Sequence, residues 1–462
     1  MTTVDAGTAI GPGEVAVLVG LRPPSKRPKR WFGRADADTP FEVIPLAAYE
    51  QPVWVRKGPL GRAWLVSDPA GIKQVLIDKV ANYPKMELER RLYRALFGDG
   101  LISSVGETWR AHRRIMAPSF DPHSVADYTE VMTSATEALA EDWDRHGNGG
   151  EIDVSDEMTR LTLEIICRTM FSADYAEMTD LTGLALERST AFNHNLLDLL
   201  PIIKRMRMRQ RERDMARLFA PMDGAVKRLI EARRRDPSRL DLLGRLVAAL
   251  DEETGLRLTP QEVRDEVLTT FVAGHETSAA AMTFVWYLLA HHPDWEAKLH
   301  AELDQVLGGR TPTNADLPRL ALTRRIIEES MRLYPPVPGV ATRTAEQPDE
   351  ICGHSVPAGG MVGISSWVLH RHRMLWDDPV RFDPDRFLPE RSVGRPRFAY
   401  LPFGAGPRVC IGQLMAMTEL TLILATLAQR YRLRLRSGHR VKIRTRVTIR
   451  PVGGLPMTVT PR

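Results

Sequence analysis

Residues 402–412 read PFGAGPRVCIG and place one cysteine, Cys410, at the end of a loop rich in glycine and proline. The apolar run QLMAMTELTLILATLAQ follows at once and has the composition of a buried helix. A helix that begins near Gln413 aims its open amide groups back at the sulfur and favours the thiolate. A thiolate held in this way can be the single protein ligand of a haem iron, pushing electron density toward O–O cleavage. The glycines let the backbone approach a flat ligand closely and adopt φ > 0. Arg408, two residues before the cysteine, suits a charge-assisted pair with a haem propionate. Most lone cysteines are small buried core residues. The order F-G-x-G-x-R-x-C-x-G, from Phe403 to Gly412, is what carries the chemical reading.

A second stretch with chemical content is AGHETS, Ala273 to Ser278. It lies in the middle of a long helical pattern that opens with TPQE. Thr259 is a good N-cap, Pro260 suits the first helical position, and Glu262 completes a capping box. The pattern stops before Pro293 and predicts a helix about 45–50 Å long at 1.5 Å per residue, enough to cross a domain. A mid-helix glycine costs about 1 kcal/mol relative to alanine, so Gly274 needs a structural reason. With a hydroxyl three residues on, the helical ladder can open locally around a water. A threonine hydroxyl beside a carboxylate, Thr277 and Glu276, can deliver protons to bound oxygen in a dry pocket. The plain alternative is a Gly–Thr pair that bends a helix and does no chemistry. His275 reads as a packing or solvent-facing residue.

Three further patterns are weak alone. EESMRLYPP sets Glu329 and Arg332 at i,i+3 on one helix face, and FDPDRF supplies Arg386. GETWRAHRRIMAPSF puts Trp109 and Arg113 on one face of a helix, where an indole N–H and a guanidinium can meet an anion. Taken in order along the chain, these segments resemble the cytochrome P450 family. The resemblance runs from Trp109 to Gly412, with a familial RPVGGLPMTV beyond, and so covers nearly the whole chain after a leader.

The resemblance implies haem b as cofactor, with Cys410 as the iron ligand. It implies propionate contacts from Arg408, Trp109, Arg113 and Arg343, and haem contacts from Phe403 and Ala273. Thr277 takes the role of proton-delivery hydroxyl and Glu276 that of the acid beside it. Glu329, Arg332 and Arg386 become a buried network that fixes the cysteine loop; Asp385 stands where the family often has Glu. The implied fold is mainly α with small β-sheets, a single large triangular domain with a long central helix.

Composition agrees with a large soluble core: 462 residues, 43% hydrophobic and 26% charged, with a net charge of +5 too small and scattered to argue for nucleic acid. Three cysteines, Cys167, Cys352 and Cys410, provide neither a disulfide framework nor a CxxC metal pair. Cys167 reads as core and Cys352 as part of a turn. The most apolar early run, Val15 to Leu21, falls far short of the roughly 20 residues that span a bilayer. A cytoplasmic protein without an integral membrane anchor is expected. Residues 1–35 read as a poorly ordered basic and proline-rich leader, and 36–462 as one domain. VWVRKGPLGRAWLV predicts a β-hairpin, and SDPAG a helix start capped by Ser67 or Asp68. Residues 110–330 are mostly helical in period. YRLRLR and VKIRTRVTI near the end predict strands.

The function implied is a haem-thiolate monooxygenase that inserts one oxygen atom from O2 into a lipophilic small molecule, a fatty acid or a terpenoid or steroid-like skeleton. GDGLISS, Gly98 to Ser104, resembles a loop of bacterial fatty-acid hydroxylases that would hang Ile102 over the haem; Val337, Gly339 and Val340 would line the pocket. KRMRMRQRERD, Lys204 to Asp214, reads as a solvated face near the substrate entrance, with carboxylate binding as the alternative. The chain carries no flavin domain and no ferredoxin-like cysteine set, so electrons are expected from a separate ferredoxin and ferredoxin reductase, or a flavodoxin. Arg110 and Arg114 are candidates for that docking surface. The alternatives are a peroxide-using or isomerising haem-thiolate enzyme, which has no need of the Glu276–Thr277 pair, and a non-enzymatic haem sensor.

Overall fold

Val53 to Val66 folds into the expected hairpin, with β1 (Val53–Gly58) antiparallel to β2 (Gly61–Val66) and Val53 opposite Val66. In this computed structural model of the chain, the described residues are 44–58, 61–145, 147–172, 224–236, 241–248, 257–445 and 447–462, with single positions at 41, 210, 213, 253 and 255. The leader over 1–35 and, apart from 210 and 213, the basic stretch 204–214 lie outside them. After the hairpin Asp68 caps a short helix, its carboxylate accepting from the amides of Ala70 and Gly71 at 2.8 and 3.0 Å, with Pro69 in the first turn.

Among the described residues the longer helices are α1 (Glu87–Phe97), α2 (Gly106–Met116), α3 (Pro122–Arg145), α4 (Val154–Met170), α5 (Pro260–His291), α6 (Pro293–Leu307), α7 (Ala321–Leu333) and α8 (Gln413–Ala428). Contacts divide the chain into two compact units. The first is Met1–Met86, Met132–Leu161 and Glu276–Arg462, and the second is Glu87–Val131 and Thr162–His275.

The first unit holds the sheets. β1 and β2 continue into β7 (Met361–Ile364), parallel to β2, and β4 (Ala341–Thr344), antiparallel to β7. Val53, Trp64, Val66, Val362 and Ile364 of this sheet form one cluster with Leu369, Phe398 and Leu401. Burying each of these large side chains is worth about 1.5–3 kcal/mol, and Leu401 stands at the root of the cysteine loop. A second sheet places β11 (Pro456–Pro461) between β3 (Gly150–Asp153) and β8 (Tyr431–Leu435). Two small ribbons complete the set. β5 (Asp349–Ile351) and β6 (His354–Val356) turn through Cys352 and Gly353, both at positive φ. β9 (Ile443–Thr445) pairs with β10 (Ile449–Pro451). Helix α8 is apolar almost throughout and buried from Met417 to Ala428.

The second unit is helical in its described residues. Phe171 packs on Phe271 with ring centroids 6.3 Å apart, and the buried pair Arg233–Asp241 ties a helix over 224–235 to the next helix start. Cys167 is fully buried, as expected of a core residue.

Helix α5 begins and ends where its capping signals place it. Thr259 and Glu262 form the reciprocal box, with the Thr259 amide donating to Glu262 Oε2 at 2.8 Å and the Glu262 amide to Thr259 Oγ1 at 3.2 Å. The helix is uninterrupted across Gly274, so no turn of the ladder is opened there. The glycine has a packing reason instead: a Cβ on it would meet Ile166 Cδ1 of α4 at 2.7 Å.

Candidate active site

Cys410 is reached through a loop whose backbone is set by glycine. Gly404 and Gly406 both have φ of 73°, in the left-handed region that side chains avoid. A Cβ on Gly406 would fall 2.2 Å from the carbonyl oxygen of Leu76, so only glycine lets these two backbones pass. The chain then makes a single 3-10 turn, Gly406–Arg408, and the Cys410 amide donates back to the carbonyl of Phe403 at 2.9 Å. The side chain of Cys410 is exposed, and helix α8 begins three residues later at Gln413. The loop therefore presents a sulfur at a helix N-terminus, the setting that favours a thiolate.

A buried ionic network holds this loop from behind. Glu329 and Arg332 of α7, both fully buried, form a bidentate pair at 2.6 and 2.7 Å. The remaining Arg332 protons go to the carbonyls of His370, Pro379 and Arg381 at 2.7–3.0 Å. Glu329 also accepts from the amide of Asp383 at 2.9 Å, and Arg386 stands 3.4 Å away. The link to the loop is His370. Its Nε2 accepts from the amide of Leu401 at 2.9 Å, so the ring is neutral with its proton on Nδ1. Burial, helped by the charges of Arg332 and Arg371, pushes its pKa well below the ordinary value and keeps it so. Sequence reading brought Glu329, Arg332 and Arg386 together; it missed His370.

Helix α5 shows one open stripe. From Asp265 to Leu289 every residue is buried except Ala273, Gly274 and Thr277, which share a face at i, i+1 and i+4. Glu276, beside them, is buried and turned to the other end of the chain. Thr448 Oγ1 donates to its Oε1 at 2.8 Å, and Arg450 Nε lies 3.3 Å from the same oxygen. His275 is a packing residue: it is buried, with Nδ1 2.7 Å from the Phe271 carbonyl.

Ser278 adds a contact no motif announced. Its hydroxyl donates to Glu419 of α8 at 2.9 Å, in the core of the first unit. Burial pushes the Glu419 pKa up to about 8, against the smaller lowering by Ser278. A raised carboxyl pKa means that the folded protein keeps a proton the unfolded chain releases. Its effect is therefore absent at acid pH, and stability falls as pH rises from the ordinary carboxylate range toward 8. Glu419→Gln cannot ionise and is expected to flatten that fall, gaining on the order of a few kcal/mol over wild type by pH 8. Denaturant unfolding of both proteins between pH 5 and 9 checks it; parallel profiles would refute a buried ionisable Glu419.

The second unit holds the other expected contacts. Trp109 and Arg113 lie one turn apart on α2, both half-buried, and Ile102 sits in the turn just before that helix. Arg110 is paired with Glu107 and Arg114 with Glu253, so both arginines proposed for docking already have acidic partners. In the first unit Arg343 lies on β4 opposite Val362 and is nearly buried, while Val337, Gly339 and Val340 follow α7. Ser366 and Ser365 fix that segment by donating to the carbonyls of Val337 and Pro338 at 2.6 and 2.8 Å. Val340 Cγ1 lies 3.8 Å from where a Cβ on Gly404 would be.

These residues fit a haem by their chemistry. The donor set is one exposed sulfur at a helix mouth, with arginines 343 and 408 in the same unit as cations for carboxylates. The glycine-only passage at 404–406 is what a backbone needs to lie against a flat ring. Among the described residues no cluster of His, Cys, Asp or Glu offers a rival metal site, and no helix is long and apolar enough to cross a membrane.

Comparison with known proteins gives the same answer. The profile of the family described as cytochrome P450 matches residues 45–454. Cyclooctatin synthase of Streptomyces melanosporofaciens is 38% identical over 427 residues, 90% of each chain. Cyclooctat-9-en-7-ol 5-monooxygenase of the same organism is 37% identical, over 92% of this chain and 90% of that protein. Among solved structures, the haem domain of cytochrome P450DA superposes with a TM-score of 0.80 at 29% identity, covering 89% of this chain and 90% of that one. A glycine-set loop that presents Cys410 at a helix mouth, the family profile over most of the chain and the shared architecture lead to one conclusion: this protein belongs to the cytochrome P450 family and is a haem-containing monooxygenase.

Proposed function

We propose that the chain hydroxylates a cyclic, terpenoid-like lipophile bearing few polar groups, with Cys410 as its haem ligand and Thr277 and Glu276 as its proton-delivery pair. The observation that carries the site is the stripe of Ala273, Gly274 and Thr277, the one break in the burial of α5 between Asp265 and Leu289. The substrate class is supported by the two Streptomyces relatives, one of which is named for a cyclic alkenol, and by the apolar character of Ile102, Val337 and Val340.

When bound, haem supplies the binding and reductive activation of O2. The chain's own residues do the rest. Arg408, Arg343, Trp109 and Arg113 would hold the propionates, and Phe403 and Ala273 would pack on the ring. Thr277 would hold a proton at its hydroxyl on the open stripe and pass it on from a carboxylate. Glu276 is next to Thr277 in the chain, and its carboxylate is held by Thr448 and Arg450. A separate electron donor, a ferredoxin with its reductase or a flavodoxin, and a cytoplasmic location belong to the same reading.

Thr277→Ala tests the proton path. Product formed per NAD(P)H consumed is expected to drop, with peroxide taking up the difference, while the carbon-monoxide spectrum stays as in wild type. The drop should fall toward the lower end of the about 10²–10⁴-fold that positioned acid–base groups contribute. Unaltered coupling removes Thr277 from the path. Titrating the holoprotein with a cyclic diterpene alcohol and with lauric acid, and following the spin-state change of the haem, separates the terpenoid reading from the fatty-acid one.

A further inference from the structure

The loop Gly98–Ser104 is fastened to α5 in a way that hydrophobic packing alone does not explain. The amide of Leu101 donates to Glu266 Oε2 at 3.1 Å, and the other carboxylate oxygen of Glu266 lies 2.6 Å from His112 Nδ1 of α2. Glu266 is fully buried and His112 is 2% exposed. One turn earlier on α5, Glu262 Oε1 stands 3.6 Å from His112 Nε2, so the imidazole is set between two carboxylates of one helix face. The amide of Asp99 donates to Asp265 at 2.8 Å. Two glycines make the close seat possible. A Cβ on Gly98 would strike the Asp265 carboxylate, and one on Gly100 would fall 2.1 Å from Thr269 Oγ1. Within the loop, Ser103 donates to the carbonyls of Gly98 and Gly100.

A buried histidine–carboxylate pair is a poor way to gain stability, because well-packed apolar residues of similar size do as well or better. What it does supply is register. One oxygen is committed to the imidazole and the other to a single main-chain N–H, and this fixes the loop at one residue along α5.

We propose that His112 and Glu266 are positioning residues that latch the Gly98–Ser104 loop onto α5 and so decide where Ile102 is presented to the substrate. The role in substrate access rests on the functional reading above; the latch itself does not. His112 is the centre of the device: its ring orients the Glu266 carboxylate, and the carboxylate orients the loop. The segment then acts as a fixed wall for a ligand in place of a loose flap.

The test uses haem-loaded wild type, Glu266→Leu, Glu266→Gln and His112→Leu. Amide hydrogen exchange at Leu101 reads the latch, and the association rate of 4-phenylimidazole, followed at the Soret band, reads access to the haem. Glu266→Leu is expected to speed Leu101 exchange at least about tenfold, the loss of a hydrogen bond to a charged acceptor. It should also speed azole association several-fold, with the carbon-monoxide band unchanged. His112→Leu should move both in the same direction. Glu266→Gln, whose amide oxygen can still accept from Leu101, should restore most of the protection, which a purely structural role would not require. Equal Leu101 exchange in wild type and Glu266→Leu overturns the latch, as does a glutamine variant as loose as the leucine one. Altered exchange with an unaltered azole rate overturns the role in access. A wild-type protein that gives no azole spectrum at all refutes the haem reading, and Leu101 exchange still decides the latch.

Discussion

Replacing Cys410 with alanine is expected to erase the red-shifted carbon-monoxide band of the ferrous haem and to end O2-dependent product formation, while the fold survives. The two halves of this expectation have separate grounds. The loop is set by Gly404 and Gly406 at positive φ and by the Cys410 amide, which donates to the Phe403 carbonyl whatever the side chain, so the backbone keeps its own supports. The chemistry has no such tolerance. Arginines cannot ligate iron, and the other two cysteines are placed elsewhere in the fold: Cys167 is core, and Cys352 belongs to the β5–β6 turn. The spectrum of reduced protein under carbon monoxide, beside a thermal melt, checks both halves. A variant that folds and keeps the band would show that some other side chain holds the metal.

The second large effect concerns the network behind the loop. Arg332→Ala strips the bidentate partner from Glu329, which has zero exposure and keeps only Arg386 at 3.4 Å as a cation, and it removes the donor from three carbonyls. Breaking one partner of a buried pair typically costs about 3–5 kcal/mol, a large share of the about 5–15 kcal/mol that separates folded from unfolded domains. Arg332→Lys should rescue little, because a single ammonium cannot reproduce a planar fork that serves a carboxylate and three carbonyls together. Glu329→Ala should cost a similar amount. The double variant should cost clearly less than the sum, since each single change strands the other partner. Guanidinium unfolding of wild type and the four variants measures this, and haem retention gives a second reading: the His370–Leu401 hydrogen bond passes the disturbance to the cysteine loop. Additive losses would mean that the two side chains act independently.

What the sequence discloses is sorted by distance along the chain. The capping box at Thr259 and Glu262, the proline at position 260 and the stop before Pro293 place α5 as the structure has it, because caps are local. The hairpin around residues 53–66, the cap at Asp68 and the period-two strands near the end are legible for the same reason. The cysteine loop is readable because glycine is the only residue its backbone accepts, which leaves a mark in the text. The contacts that sequence reading missed join distant residues: His112 with Glu266 across 154 positions, Ser278 with Glu419 across 141, and Thr448 with Glu276 across 172. One of them did leave a trace. Glu419 is a lone carboxylate in an otherwise apolar helical run, and a charge so placed needs a partner or a proton. Gly274 shows the opposite case. Its cost was visible, but the cause was Ile166 on another helix, not a gap in its own.

The strand β11 has a practical bearing on how another domain is joined to this protein. It runs through the middle of a three-stranded sheet, with β3 on one flank and β8 on the other, and Arg462 closes it by donating its amide to the carbonyl of Arg430. A protein engineer who wishes to fuse another domain beyond this strand should trim nothing before Arg462. Shortening the chain there would unzip two ladders at once.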